Sequence, residues 1–594
     1  MLLKSAGSLS QASVKNLSEF FSQVGHNPSS EMREALRDVL GCLESMALGV
    51  SEPRFYLSSV DPGVGKSTAI VAFLKALLGD PGHRDVGVLI GLSRKAEIRA
   101  LIDAGLKRDQ FAVLTADQEL NDLGGLSPAS AQVLFTTQQM IERRCFRKQF
   151  GDTEEFWFKR RPRVVRIWDE SLVPGHPVVL NRDEIVSLLR YVREPYPELA
   201  ERLEALHREV RELKDGDFLE LPDLASTFGY DLDEASTLLK TKNEDVRDAG
   251  QKLRGLSSRE VVIRDEGKRG VSLVGFYDHL PKDFAPALVL DASGRVRGTY
   301  RLWEKHRGGL VRLKIAAKRY DNLTIHHWRR GGGKRSFQQN GPVLVEGIAS
   351  TINEKPDEKW LVIHHKPADG EGNLEAAIRD ALTIPPDQVH FLTWGNHHAT
   401  NEFAEVPNVV LAGTLFYREA VYEAYARAAG GLIPGKDDVT PEQLDDFQLA
   451  ESLHMVLQAL CRGSVRKADG EQCGRCDTYI IAAPNTRIGQ SLTKVFPGCK
   501  VVPWEPVEQE LKGKPKQAIE FIRGWFEEHP TEVLPFTTVR EAIGVKHSSH
   551  FTQSIRQHEG FQKALEAIRV EECGGKTRMT GFRRRKPRAS DCDF

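Results

Sequence analysis

The sequence has no apolar run approaching the ~18 residues that a membrane-spanning helix needs. Its first residues, MLLKSAGSLSQAS, lack the long apolar core of a signal peptide. No membrane partner is expected, and the expected setting is the cytoplasm. Cysteine is sparse: eight in 594 residues, with a single C-x-x-C pair, which argues against a disulfide framework. That pair, Cys473 and Cys476, could take zinc with Cys461 and Cys499, but a second C-x-x-C is missing and a plain hairpin turn is the expected reading. Nor is there an excess of one charge. The net charge of −1 gives no global field toward nucleic acid, so any such attraction must come from local patches. The remainder is ordinary for a soluble globular chain, with 40% hydrophobic and 28% charged residues and a mean hydropathy of −0.38. The length leads one to expect about four domains.

One further absence is local. The stretch SSVDPGVGKSTAI follows the phosphate-loop pattern G-x-x-x-x-G-K-[ST] except that its first position is Val60. The rest fits: Pro62 and Gly63 make the turn, Val64 follows, Gly65, Lys66 and Ser67 are in place, and Thr68 comes next. Upstream, RFYLSSV reads as a buried strand. Downstream, KSTAIVAFLKALL puts Ile70, Phe73, Leu74 and Leu77 on one helical face. In such a junction, backbone N–H groups and the helix N-terminus favour phosphate. Lys66 would face the β- and γ-phosphates of ATP, and the Ser67 hydroxyl would hold Mg²⁺. The plain alternative is an ordinary strand–turn–helix.

A nucleotide site of this kind also needs an acidic strand end. PRVVRIWDES supplies Asp169, placed to hold Mg²⁺ through water, and Glu170, placed to orient and deprotonate the attacking water. Between loop and acid, DVGVLIGLSRKAEIRALI is a strand whose end carries Ser93 and Arg94. AQVLFTTQQMIERR is another, ending at Thr136, Thr137 and Gln138. Parallel sheets bind ligands at such ends, and these side chains suit a nucleic-acid backbone; routine loop and cap duty is the alternative for each segment alone.

Taken in order, the phosphate loop, the Thr-Thr-Gln strand end and the Asp-Glu box resemble the first motor domain of a superfamily 2 helicase. APALVLDASGRV, with Asp291-Ala292-Ser293, resembles the Ser-Ala-Thr element of that family. EKWLVIHHKP is similar to the first strand of the second motor domain, and FLTWGNHHATNEFAEVPNVVLAG to its fifth motif, with Thr400 and Asn401. QALCRGSVR resembles the sixth motif, with Gln458, Arg462 and Arg466. The family's second arginine comes three residues after the first. Here that position is Val465, and which arginine reaches the γ-phosphate is left open. The resemblance spans roughly residues 50 to 485. It implies an α/β fold with two RecA-like P-loop motor domains, ATP and Mg²⁺ as cofactors, and a nucleic-acid partner. The long gap after the Asp-Glu box is similar to that of the arch-type repair helicases. Those enzymes hold an iron–sulphur cluster on four cysteines in the first motor domain, where this sequence has only Cys145, so no cluster is expected.

The expected layout is a helical cap at 1–50 and the first motor domain at 51–184. A helical insertion at 185–265 follows, then the remainder of the first motor and a linker at 266–350, and the second motor at 351–510. The insertion, rich in Glu, Leu and Arg, reads as a solvated helical segment, with a partner-binding arm as the alternative. HHWRRGGGKRSF reads as a surface turn, with Trp328 as a base-stacking residue in the alternative. Residues 511–594 read as three helices and a hairpin, a winged-helix domain. Its basic tail holds Lys576, Arg578, Arg583, Arg584, Arg585, Lys586 and Arg588 with no acid between; a solubilising tail is the alternative. The function expected is an ATP-dependent DNA helicase or translocase. The rivals are a nucleic-acid-stimulated packaging or remodelling ATPase, and a regulatory DNA-binding protein switched by its P-loop. Glu170 argues against the switch because it equips the site for turnover.

Overall fold

The computed structural model describes residues 8–224, 243–367, 373–395, 402–507, 511, 513–575 and 578–585. It divides into two compact units, Met1–Trp504 and Glu505–Phe594.

The larger unit is built on two parallel sheets. The first has seven strands, in the order Leu310–Arg312, Phe55–Ser58, Ala287–Leu290, Val165–Asp169, Val88–Leu92, Val133–Thr137 and Phe111–Leu114. The inner strands are continuous apolar runs because helices cover both faces. Two N-terminal helices, Ser8–Gln23 and Ser30–Ala47, pack against the helix Lys66–Gly79 that follows the phosphate loop. That covering explains why the latter buries Ala69, Val71 and Ala72 as well as the Ile70, Phe73, Leu74 and Leu77 face.

The second sheet has six strands, in the order Val389–Thr393, Trp360–His364, Asn408–Ala412, Cys476–Ile481, Leu323–Trp328 and Lys500–Pro503. It therefore starts at Leu323 rather than near residue 351, and EKWLVIHHKP supplies its second strand in chain order. Trp328 lies within the first of these strands, is 1% exposed and packs against Trp504, so its ring is core and is closed to a base. The glycines after it are equally tied down, since the Gly332 carbonyl accepts from His365 Nε2 at 2.9 Å and from the Thr414 amide at 3.2 Å.

The insertion corrects the expectation of a purely helical segment. Helices Arg182–Val192, Pro197–Glu212 and Glu244–Leu256 lie on an antiparallel sheet ordered Gly175–Asn181, Val271–Asp278, Glu260–Asp265, Phe218–Glu220. Alternate residues point to opposite faces. Val261, Ile263 and Leu273 bury against the helices of the insertion. Val262 and Val274 bury against Ala420 and Ala424 of the helix Glu419–Gly430, which leaves the second sheet between Asn408–Ala412 and the helix Pro441–Leu460. The insertion of the first lobe is thus docked on the second. Ion pairs cross that dock, among them Lys436 with Glu260 at 3.3 Å. Glu423, 2% exposed, accepts from Arg264 Nη2 and Arg427 Nε, both at 2.9 Å, and Arg418 pairs with Glu266 at 2.9 Å.

The smaller unit orders a helix Gly513–Glu528, a short strand Leu534–Pro535, helices Phe536–Ala542 and Glu559–Ala567, and the hairpin Val570–Gly575 with Arg578–Arg584. Leu534 pairs with Phe582 to make a three-stranded sheet over a core of Ile522, Phe526, Phe551, Ile555, Phe561 and Phe582. Among the described residues, no helix is long and apolar enough to cross a membrane.

Candidate active site

Strand Phe55–Ser58 runs into the loop, and the helix begins at Lys66. Gly65 sits at φ +117° and Gly63 at φ +84°, a region that residues with a Cβ occupy at a cost. Space makes the same demand. A Cβ on Gly63 would lie 1.9 Å from the carbonyl oxygen of Arg466, and one on Gly65 would lie 2.6 Å from the Phe21 ring. Val60, the departure from the pattern, is fully buried, and its carbonyl accepts from the Lys66 ammonium, which also donates to the Asp61 carbonyl at 3.2 Å. A backbone oxygen is what this position contributes, so a valine side chain turned into the core does no harm. His26 Nε2, 3.2 Å from the Val64 carbonyl, braces the loop from outside.

Asp169 ends its strand beside the loop. Glu170 follows with φ +74°, its amide donating to the Leu290 carbonyl at 3.1 Å. This left-handed turn is a strained backbone for a glutamate, and it aims the carboxyl at the next strand end. There the Ser93 hydroxyl lies 3.0 Å from Glu170 Oε2 and 2.9 Å from Glu97 Oε2. The Arg94 amide donates to the same Glu97 oxygen at 3.1 Å.

The second lobe closes the site. Gln458 is in the last turn of the helix Pro441–Leu460, and Arg462 and Arg466 follow it. Arg462 Nη2 donates to Gln458 Oε1 at 3.3 Å. Pro62, Gly63, Gly65, Lys66, Ser67, Thr68, Glu97, Asp169, Glu170, Gln458, Arg462 and Arg466 all line one cavity of about 440 Å³. Both arginines reach it, because the 3₁₀ turn Ser464–Arg466 offsets the extra residue between them. Val64, by contrast, is buried behind the loop.

The charges in this cavity are displaced from their ordinary values. Burial pushes the Asp169 carboxyl up to about 7, with Glu97 adding to the rise and Lys66 opposing it. Burial, then Glu97 and Asp169, raise Glu170 as well. Burial pulls the Lys66 ammonium down to about 8, against Asp61 and Asp169. Arg462 is lowered by burial and by Arg466. Crowded carboxyls beside crowded cations are eased when a divalent cation and a polyphosphate come between them. Ser67 and Asp169 offer hard oxygen donors of the kind Mg²⁺ takes, and so the residues fit both groups.

Other expected contacts fall differently. Thr136 is fully buried and donates to the Leu114 carbonyl at 2.7 Å, so it holds the sheet and is closed to nucleic acid. Thr137 caps the helix Gln138–Cys145. Gln138 donates to the Asp169 carbonyl at 2.5 Å, which joins this strand end to the acidic box. Arg94 Nη2 reaches across to the Gly395 carbonyl of the second lobe at 2.8 Å. Thr400, Asn401 and Lys576 lie outside the described residues, as does the side chain of Arg578. Arg583 and Arg585 are partly engaged, with Glu571 at 2.8 Å and Glu566 at 3.3 Å, while Arg584 is exposed. Cys461, Cys473, Cys476 and Cys499 are buried free thiols, and no group of three or more His, Cys, Asp or Glu side chains placed to hold a metal ion occurs among the described residues. Sequence reasoning missed Asn16, Phe20 and Glu97, which also line the cavity. A helix register places Glu97 one turn from Ser93, but nothing in the chain signals the N-terminal pair.

Two parallel α/β lobes with a phosphate loop on one, arginines on the other and a shared cavity define a two-lobed, RecA-like P-loop fold. No protein-family model matches the chain, and no curated protein matches it. Among solved structures the chain is similar to Xpd4 of S. tokodaii, with 12% identity and a TM-score of 0.45, over 79% of this chain and 99% of that one. It is similar to S. cerevisiae Dbp5 bound to RNA and ADP BeF3, with 10% identity and a TM-score of 0.35, over 82% and 94%. It is also similar to the Mycobacterium smegmatis helicase Lhr bound to ssDNA and AMP-PNP, with 11% identity and a TM-score of 0.33, over 96% and 60%.

Proposed function

We propose that this chain is an ATP-dependent nucleic-acid motor, a helicase or translocase acting on DNA. The observation that carries the reading is the single cavity in which Lys66, Ser67, Asp169 and Glu170 of one lobe meet Gln458, Arg462 and Arg466 of the other. Lys66 and the loop amides hold the β- and γ-phosphates. Ser67 and Asp169 would hold Mg²⁺, which neutralises charge on the phosphates when bound. Glu170 orients the attacking water and takes its proton. Arg462 and Arg466 face the charge that develops on the γ-phosphate. Because they belong to the second lobe, closure of the cleft depends on the nucleotide, and hydrolysis releases it. Strand ends on both lobes then move along a bound strand. Ser93, Arg94 and Thr137 on the first lobe, with Thr400 and Asn401 on the second, are the proposed contacts to its backbone. Residues 513–585 have the element order of a winged helix, and Lys576, Arg578, Arg583, Arg584 and Arg585 are its proposed phosphate contacts. A remodelling or packaging ATPase would share the same chemistry.

The test is ATP turnover by the wild-type chain and Lys66→Ala, with and without single-stranded DNA or RNA. Strand displacement on 5′- and 3′-tailed duplexes accompanies it. DNA-stimulated turnover lost in Lys66→Ala, with displacement of one tailed duplex, is expected. Turnover that survives in Lys66→Ala defeats the ATP assignment. Stimulated turnover without displacement favours the remodelling ATPase.

A further inference from the structure

We infer that Asp61 and Lys318 are positioning residues that lock the Arg466 segment of the second lobe onto the phosphate loop of the first. The inference rests on the ATP-site reading above and deepens it.

Asp61 comes directly after Val60, where the phosphate-loop pattern leaves any residue free, and it is fully buried. A buried carboxylate needs donors, and Asp61 has three. Arg295 Nε donates at 3.1 Å, the Lys318 amide at 2.9 Å and the Tyr320 hydroxyl at 2.7 Å. Arg295 follows the Asp-Ala-Ser strand, and its Nη2 also donates to the Val495 carbonyl of the second lobe at 2.6 Å. Lys318 and Tyr320 lie on the linker between strands Leu310–Arg312 and Leu323–Trp328. One phosphate-loop side chain thus gathers two of the connections to the second lobe.

The lysine carries the connection onward. Lys318 is 1% exposed, and its ammonium donates to the carbonyls of Val465 and Arg466 at 2.8 Å and of Lys467 at 3.2 Å. Three donors meet three acceptors. The Arg466 carbonyl is also the atom that a Cβ on Gly63 would strike, so Lys318 pins the turn where it lies flush against the phosphate loop. The chain Gly63, Arg466 carbonyl, Lys318, Asp61 closes back on the loop where it started. Neither Asp61 nor Lys318 lines the cavity. Their effect on hydrolysis therefore passes through Arg466, whose side chain does.

The experiment uses the full chain with Lys318→Met and the isosteric Asp61→Asn, alongside Arg466→Ala and the double variant Lys318→Met with Arg466→Ala. ATP turnover, KM and ADP affinity are measured for each. Misplacing a reacting group by about 1 Å costs on the order of 10²-fold, so kcat is expected to fall about 10- to 100-fold in each single positioning variant. ADP affinity, set by the first lobe, is expected to hold. The double variant is expected to be no slower than Arg466→Ala, because residues acting as a unit do not add. Losses that multiply in the double variant, or ADP affinity that falls in step with kcat, overturn the inference. If Lys318→Met does not fold, Asp61→Asn carries the same comparison. Turnover that needs Lys66 but ignores Lys318 and Asp61 defeats this inference alone; turnover that ignores Lys66 defeats the ATP-site reading beneath it.

Discussion

Replacing Glu423 by Gln tests how the insertion is held. Glu423 and Arg427 are each 2% exposed, and Arg264 reaches the same carboxylate from the insertion. Gln keeps the volume and removes the charge. Arg427 is then left buried without a counter-charge, beside the glutamine amide oxygen and the carbonyls of Leu432 and Asp437, at 3.4 and 3.0 Å. Breaking a buried ion pair from one side costs about 3–5 kcal/mol. Unfolding entropy near 2.1 cal/mol/K per residue, over a unit ending at Trp504, comes to about 1 kcal/mol/K. The expected drop in melting temperature is therefore about 3–5 °C if the unit melts as one. Arg418→Gln is the control. Its pair with Glu266 has the arginine 37% exposed, and such a pair contributes about 1 kcal/mol or less. Calorimetry of the two variants measures the contrast, and limited proteolysis should cut the insertion sooner in Glu423→Gln. Equal shifts, or none, would refute the reasoning.

Glu170→Gln should keep ATP binding and slow turnover by about 10²- to 10⁴-fold, the usual worth of a general base; binding and turnover falling together would make Glu170 structural. Ending the chain at Trp504 should leave basal turnover intact and weaken DNA binding. Its salt slope should fall by about two to four units for as many lost phosphate contacts, and an unchanged slope across a salt series would mark the C-terminal basic run as merely solvated. A pH test uses His279, pulled by burial, then His176, to about 3 from an ordinary 6.5. Its partner Glu142, 3.3 Å away, is pushed by burial to about 7 from 4.5. The unfolded chain holds the extra proton at the histidine and the folded chain holds it at the glutamate, so their slopes oppose between pH 4.5 and 6.5. In His279→Gln only the glutamate remains, and stability should fall as pH rises from 4.5 to 7; a melting temperature that stays flat over that range would rule this out.

What could be read ahead of the structure was local. The phosphate loop, the Asp-Glu strand end and the Gln-x-x-x-Arg run each lie within a dozen residues, and each carries its chemistry in its own spacing. Glu97, Asp61 and Lys318 were not legible, because their meaning lies in partners on distant segments. The insertion was half legible. Its charged helices show plainly, but EVVIRD and VSLVGFYD are apolar on both faces, since helices cover one and Glu419–Gly430 the other, and such strands lose their alternation. LTIHHW misled for a related reason. Two histidines and a tryptophan beside a basic glycine run look like a surface, yet the strand sits between two others, where its aromatic rings are packing.

The dock between the insertion and Glu419–Gly430 bears on how the lobes can move. Two bodies joined by one linker can swivel about three axes. Here attachments stand apart from the linker around Lys318, namely the insertion dock and the buried pair of Arg297 with Glu451 at 2.8 Å, and each added fixed point removes freedom. While these hold, twist or sideways slip between the lobes is suppressed. Any parting of the lobes is thus held to a restricted path, because contacts far apart along the seam must shift together.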